Sequence, residues 1–298
     1  VQGSPIAYWA KGSDLNIFKN NNKLIDYASP KQGLATGEND RFLRFWSEVD
    51  FSKIKLNAQS GSELNNSKNK WVPYNKGGEF RKWYGNNYYI VMWENDGYEI
   101  KNFKNEKGKL KSRPQNTQFY FSQCLTWSKV TIGGFSVRFI PKGFIFDVAG
   151  CSIFMNENIE YFLGLLNSKV INRILSFLSP TVNYEVGNIA SIPIPMKPQK
   201  RIVDLVNLSI EMAKESWDSF DISWDFKTHP FINTFKEEKG ELSAIFSKWE
   251  KECKKKFELL KYNEEELNRI FIDIYGLKDE LTPEVDDNDI TIRKADRE

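Results

Sequence analysis

At 298 residues, with 40% hydrophobic and 14% aromatic side chains, the chain can build one large core or two ordinary ones and is too apolar to be disordered. Its three cysteines, Cys124, Cys151 and Cys253, stand far apart with no CxxC pair, which argues against a disulfide scaffold or a zinc module and suits a reducing cytoplasm. The single histidine, His229, leaves no His-rich metal site, and no apolar run approaches the ~20 residues of a membrane span. The formal net charge of +2 hides an uneven distribution. Residues 68–113 carry 11 Lys/Arg against 5 Asp/Glu, whereas residues 263–298 carry 12 Asp/Glu against 5 Lys/Arg. A basic middle points toward a polyanionic partner, with a solvated surface as the plainer alternative.

The chain opens VQGSPIAYWA, with no Met and no signal-peptide pattern, and reads as an excerpt of a longer protein. Short aromatic or β-branched runs predict strands at residues 6–10, 41–46, 88–94, 119–122, 136–140 and 143–147. The polar residues 57–69 predict an exposed loop and residues 105–113 a basic one. From 157 to 178 the period changes: Ile159, Phe162, Leu163, Leu166, Val170, Ile174 and Phe177 keep the spacing of a core-facing helix. Ile192-Pro193-Ile194-Pro195 cannot be helical and ends that unit. Val203, Val206, Ile210 and Met212 then predict a helix ending near Ser216–Trp217, followed by a loop through Trp224, His229 and Pro230. Residues 241–260 keep helical spacing again, and Asn263-x-x-Glu266 resembles a capping box opening a last helix closed by Gly276.

The stretch most suited to binding is residues 71–87, WVPYNKGGEFRKWYGNN. A strand through Trp71–Tyr74 breaks at Asn75, Lys76, Gly77 and Gly78, and the paired glycines let a ligand approach the backbone. Arg81, Lys82, Trp83 and Tyr84 follow, then Gly85, Asn86 and Asn87 as a second turn. Cations beside flat aromatics and amides can hold phosphates, stack on bases and read base edges; a polar hairpin whose aromatics serve the core is the alternative. Lys76, Arg81, Lys82 and Arg138 are the candidate phosphate contacts, and Asn75, Asn86, Asn87 or Arg81 the candidate base readers. No nucleophile elbow, G-x-G-x-x-G turn, Walker A loop or (Asp/Asn/Ser)-Pro-Pro-(Tyr/Phe) tetrapeptide occurs, and no catalytic or metal-binding set stands out. Glu99 and Lys101, after Asp96, could pass for half of a metal-dependent nuclease site, but no second acid is clearly supplied upstream.

Gly33-Leu-Ala-Thr36-Gly37-Glu-Asn39-Asp40-Arg-Phe42 resembles the G-x-x-T-G-x-N-x-x-F segment of methyltransferases with a fused target-recognition domain. Residues 71–87, Trp93–Gly97, Thr126-Trp127-Ser128, Pro141–Asp147, the LGLLNSK block at 163–169, Pro180–Asn183, residues 217–230 and residues 274–283 extend the likeness nearly end to end. Order and spacing are similar to the PglX family, the adenine-specific DNA methyltransferases of bacteriophage-exclusion (BREX) defence systems. The resemblance implies a non-catalytic C-terminal part: a module that recognises double-stranded DNA, with the S-adenosylmethionine site and the Asn-Pro-Pro-Tyr loop in a catalytic domain upstream. This chain lacks both motifs, so no cofactor is expected in it. The expected fold is α+β, a β-rich irregular recognition domain (1–196) closed by the helix at 157–178, then a helical C-terminal region (197–298). A rival reading makes the chain a docking surface for other phage-defence proteins, with the acidic residues 279–298 as the handle. The nuclease reading is a second rival. No membrane partner is expected.

Overall fold

The computed structural model describes residues 10–237 and 241–295, so the predicted strand at 6–10 lies almost wholly outside the described residues. The chain order begins α1 (Gly12–Asn20), β1 (Asn22–Lys23), β2 (Ser29–Lys31), α2 (Asn39–Phe42), β3 (Leu43–Phe45), β4 (Trp71–Asn75), β5 (Tyr89–Met92) and α3 (Glu94–Lys101). It continues β6 (Cys124–Ser128), β7 (Val137–Ile140), β8 (Ile145–Phe146), β9 (Gly150–Phe154), α4 (Ile159–Leu166), α5 (Lys169–Leu178), α6 (Val186–Ala190) and β10 (Pro193–Ile194). The helices α7 (Lys200–Asp218), α8 (Pro230–Glu237) and α9 (Leu242–Tyr275) complete an α+β fold with a helical C-terminal region.

Two four-stranded sheets carry the architecture, ordered β2-β9-β6-β7 and β3-β5-β4-β8, with a short β1-β10 pair beside them. Strand alternation gives the first sheet two faces. Leu125, Trp127, Val137, Cys151 and Ile153 enter the larger core together with Leu163, Leu166 and Val170 of α4 and α5 and Val206, Leu267 and Phe271 of α7 and α9. That single cluster draws on residues from both sides of position 196. On the other face Cys124, Ile140 and Phe154 join a second core with Leu43, Val72, Tyr74, Val91 and Ile145 of the second sheet. Beside them Thr126, Arg138 and Ser152 form a buried polar row, one residue per strand in register.

Several predicted elements are redrawn by tertiary contacts. The helix expected over 157–178 is two helices, because Asn167 turns aside to clamp a strand: its Oδ1 accepts from Val137 N (2.8 Å) and its Nδ2 donates to Val137 O (2.9 Å). Residues 242–275 are one continuous helix, and Asn263 is no cap but a buried side chain facing Ser209 Oγ at 3.5 Å. Gly276 does close that helix, in the left-handed region at φ +66°. The expected strand at 119–122 is the end of a 3₁₀ turn, and the strand begins at Cys124 instead. Arg41 and Phe42 belong to the short helix α2, leaving only Leu43–Phe45 extended. Pro230 opens α8 as a first-turn proline, with His229 Nδ1 accepting from Phe231 N (3.2 Å).

The acidic C-terminal segment runs back over the molecule as a strap. Val285, Ile290 and Ile292 are buried in the larger core, and Val285 N donates to Glu265 on α9.

Candidate nucleic-acid interface

Beyond Asn75 the chain turns at Gly77 (φ +85°) and Gly78 (φ +138°). A Cβ on Gly77 would stand 3.1 Å from the Ala149 carbonyl oxygen, so close backbone packing as well as φ selects glycine there. The return path runs along β7: Arg81 N donates to Ser136 Oγ, Trp83 N to Val137 O, and Phe139 N to Trp83 O. Trp83 (φ +70°) and Asn86 (φ +61°) sit in the left-handed region, a conformation unfavourable for a bulky indole that only firm surroundings maintain.

Those surroundings come mostly from the C-terminal helices. Lys82 Nζ meets Glu264 Oε2 of α9 at 2.6 Å, and Trp83 Nε1 donates to Glu264 Oε1 at 2.8 Å. The Glu264 side chain is 4% exposed and that of Lys82 is 10% exposed, so this is an internal ion pair. Arg81 lies over the Trp217 ring of α7 at 5.0 Å, donates through Nε to Asn86 Oδ1 and through NH1 to Thr291 O on the strap. Burial depresses its pKa. Tyr84 is buried beneath Lys214, and burial pushes its hydroxyl up to about 12. Asn86 Nδ2 donates to Glu79 O.

The expected base reader Asn75 is internal too. Its Nδ2 lies 2.6 Å from Thr126 Oγ1, 3.1 Å from Gly150 O and 3.3 Å from Ser152 Oγ, tying the second sheet to the polar row of the first. Arg138 closes that row with no exposed surface. It donates through NH1 to Arg81 O (3.4 Å), while Nε and NH2 have no partner. Burial, with Arg81 nearby, lowers its pKa to about 10. Asn87 is also buried, with its Nδ2 unpartnered. The expectation that Asn75, Lys82, Trp83, Tyr84, Asn86, Asn87 and Arg138 present their side chains to a duplex is therefore corrected: in this conformation all seven are covered by the protein. The run is amphipathic in composition, but two sheets, the helices α7 and α9 and the C-terminal strap converge on it.

What remains at the surface is a rim. Gly78 is exposed and Lys76 half-buried, with its Nζ 4.8 Å above the Tyr89 ring. Tyr89 stacks on Phe45 at 4.8 Å and 27°, and Phe45 is 45% exposed on the edge strand β3. A cation capping two stacked rings at an open sheet edge offers a flat, positively charged surface suited to bases or sugar–phosphate. Sequence reading missed Phe45 and Tyr89, whose juxtaposition depends on the β3–β5 register. It also missed Glu264, which looks like one more acid on a charged helix.

The nuclease triplet does not assemble. Asp96, Glu99 and Lys101 lie on the kinked helix α3; Glu99 pairs with Arg41 (2.6 Å) and Lys101 with Asp96 (2.8 Å). Among the described residues no group of three or more His, Cys, Asp or Glu is arranged to hold a metal ion.

Comparison with known proteins gives 40% identity over 301 residues, 99% of this chain, with the adenine-specific methyltransferase PglX of Lacticaseibacillus casei (strain Zhang). The adenine-specific methyltransferase BrxX of Escherichia coli O9:H4 (strain HS) is 36% identical over 287 residues, 95% of the chain. The chain is homologous to part of these methyltransferases. It spans 25% and 22% of their lengths, about a quarter. No family model matches the chain. No described helix is long and apolar enough to cross a membrane.

Proposed function

We propose that this chain is the DNA target-recognition part, C-terminal and non-catalytic, of an N6-adenine DNA methyltransferase acting in phage defence. The observation that carries this reading is the alignment of 99% of the chain with a quarter of an adenine-specific methyltransferase, in a sequence without a Pro-Pro catalytic tetrapeptide. The chain has no glycine-rich strand–helix turn either, and we assign S-adenosylmethionine binding and methyl transfer to the remainder of the polypeptide.

Division of labour follows from exposure. Lys76, Tyr89 and Phe45 form the contact rim, with the Gly78 backbone beside them; Arg81 stands behind, holding Asn86 and the strap. Asn75, Lys82, Trp83, Tyr84, Asn86, Asn87 and Arg138 act as the frame that fixes the rim. The Asn75 bonds and the Lys82–Glu264 pair make this support rigid. The catalytic part would flip the adenine out of the stack.

The test uses the full-length methyltransferase and the duplex site found by methylome sequencing of the source cell, against a scrambled duplex. Tyr89→Ala and Phe45→Ala are expected to lose ~1–3 kcal/mol of binding if bases stack there. Lys76→Ala is expected to lower the salt slope by about one unit if its ammonium meets a phosphate. Wild-type affinity, slope and discrimination in all three variants would refute the rim.

A further inference from the structure

Residues 103–113 form a hairpin that the rim does not use. Lys104 bridges to Leu110, Asn105 N donates to Lys109 O, and Lys111 N donates to Phe103 O. The turn is stiff: Gly108 lies at φ +73°, and Asn105 Oδ1 accepts from Lys107 N and Lys109 N, both at 3.0 Å. Its base is fixed as well. Arg113 pairs its backbone with Ala35, and the buried Ser112 hydroxyl donates to Ile100 O.

The sequence from 109 to 113 is Lys-Leu-Lys-Ser-Arg, with isolated bridges at Leu110 and Arg113. Ser112 is buried, whereas Lys109, Lys111 and Arg113 are exposed. Lys111 is engaged by Glu38 at 2.9 Å. Lys104, Lys107, Lys109 and Arg113 form no ion pair with any described residue, and Glu106 is the one acid within the hairpin. Such a run of cations repels itself and is costly to hold together without counter-charge. Folding nonetheless secures it with backbone and side-chain bonds at turn and base.

Its position relative to the rim gives it a role. Phe103, at the hairpin's base, packs edge-on against Phe42 at 5.1 Å, and Arg41 lies over the same ring at 4.9 Å. Phe42 directly precedes β3, whose last residue is Phe45 of the rim. Hairpin and rim therefore stand at opposite ends of one edge strand, separated by about 10 Å along it.

We infer that the hairpin is a phosphate clamp: it grips the backbone of double-stranded DNA flanking the segment held at the rim. Lys109 and Arg113 stand four residues apart, at most about 13 Å, the axial length over which one strand of a duplex carries about four phosphates. A solvated loop needs no such anchoring. This inference rests on the DNA-recognition reading above and extends it from sequence reading to non-specific grip.

The experiment compares the full-length protein with a variant carrying Lys104→Gln, Lys107→Gln, Lys109→Gln and Arg113→Gln, on the cognate and the scrambled duplex, across a salt series. Because these side chains are exposed, thermal unfolding should match wild type. Binding to both duplexes should weaken at least tenfold at low salt and by the same factor, so that discrimination is kept. The slope of log Kd against log salt should fall by about three. A Lys→Arg variant at the three lysines should restore wild-type behaviour. An unchanged slope with normal wild-type binding would overturn the clamp and leave the recognition reading standing. A loss confined to the cognate duplex would instead make the hairpin a base reader and overturn the clamp. Absence of duplex binding by the wild type would overturn both readings. Equal competition by duplex RNA of the same length would overturn the assignment to DNA.

Discussion

Glu264 shows how one side chain decides the fate of a whole stretch. It receives the Lys82 ammonium and the Trp83 indole N–H at once, in a site almost closed to water. Removing it leaves a buried cation and a buried donor without partners. Glu264→Ala should therefore destabilise the protein by about 3–5 kcal/mol in urea denaturation, and Lys82→Met combined with Glu264→Leu should recover much of that loss. Equal losses in the single and double variants would mean the pair is not coupled. A second pair answers to pH. Burial by itself raises the Asp14 carboxyl, but two bonds from Arg173, at 2.7 and 2.9 Å, and one from Lys11 N bring it below its ordinary value. A carboxylate with a lowered folded pKa stabilises above its unfolded pKa and loses that contribution as pH falls through the folded value. Arg173→Ala should accordingly cost about 1.5–3 kcal/mol at neutral pH. The gap between variant and wild type should close as denaturation is repeated below about pH 4. A gap that stays constant with pH would show that Asp14 is not its source.

Among the elements, the α4–α5 pair carries the link between sheet and helices. The apolar spacing from Ile159 to Phe177 was visible in the sequence because burial on one face imposes it. Leu163, Leu166 and Val170 are indeed buried in the larger core. Leu166→Ala should cost ~2–5 kcal/mol, since the side chain is 1% exposed and tightly enclosed. A loss below half a kilocalorie would contradict its place in that core. The break at Asn167 was not visible. Asparagine inside a helical pattern looks like a weak helix residue, and its reason is a strand residue 30 positions upstream. Asn167→Ala leaves the Val137 N–H without its partner, while the Val137 carbonyl keeps Trp83 N, and should cost about 1–3 kcal/mol, whereas a residue merely tolerated in a helix would gain from alanine. The same blindness explains the misplaced capping box: Asn263 and Glu266 carry the right letters, but Leu260, Leu267 and Phe271 bury α9 straight through the site.

At the scale of the whole molecule, the C-terminal strap holds the frame from behind. Thr291 contacts both Arg81 and Lys82, and three apolar side chains of the strap are buried. A chain ended after Pro283 should lose ~5–9 kcal/mol as an upper bound, judged from those three side chains. Limited proteolysis should then cut within residues 71–87, which the intact protein protects. Cleavage elsewhere alone would show that the strap is dispensable to the frame.

The sequence by itself determined what depends on local pattern: an α+β composition, the core-facing face of 159–177, the strand at 71–74, the Gly276 stop and the cationic loop at 105–113. The order of its motifs also carried the homology to adenine-specific methyltransferases. Which side of residues 71–87 meets solvent was decided only by tertiary structure. Asparagine, lysine and arginine can read a base, or they can satisfy a buried strand, an internal glutamate or a strap carbonyl. Chemistry is the same in either role. Partners as distant as Glu264 and Thr291 make the choice, and the burial they impose moves the accessible surface to Lys76, Tyr89 and Phe45.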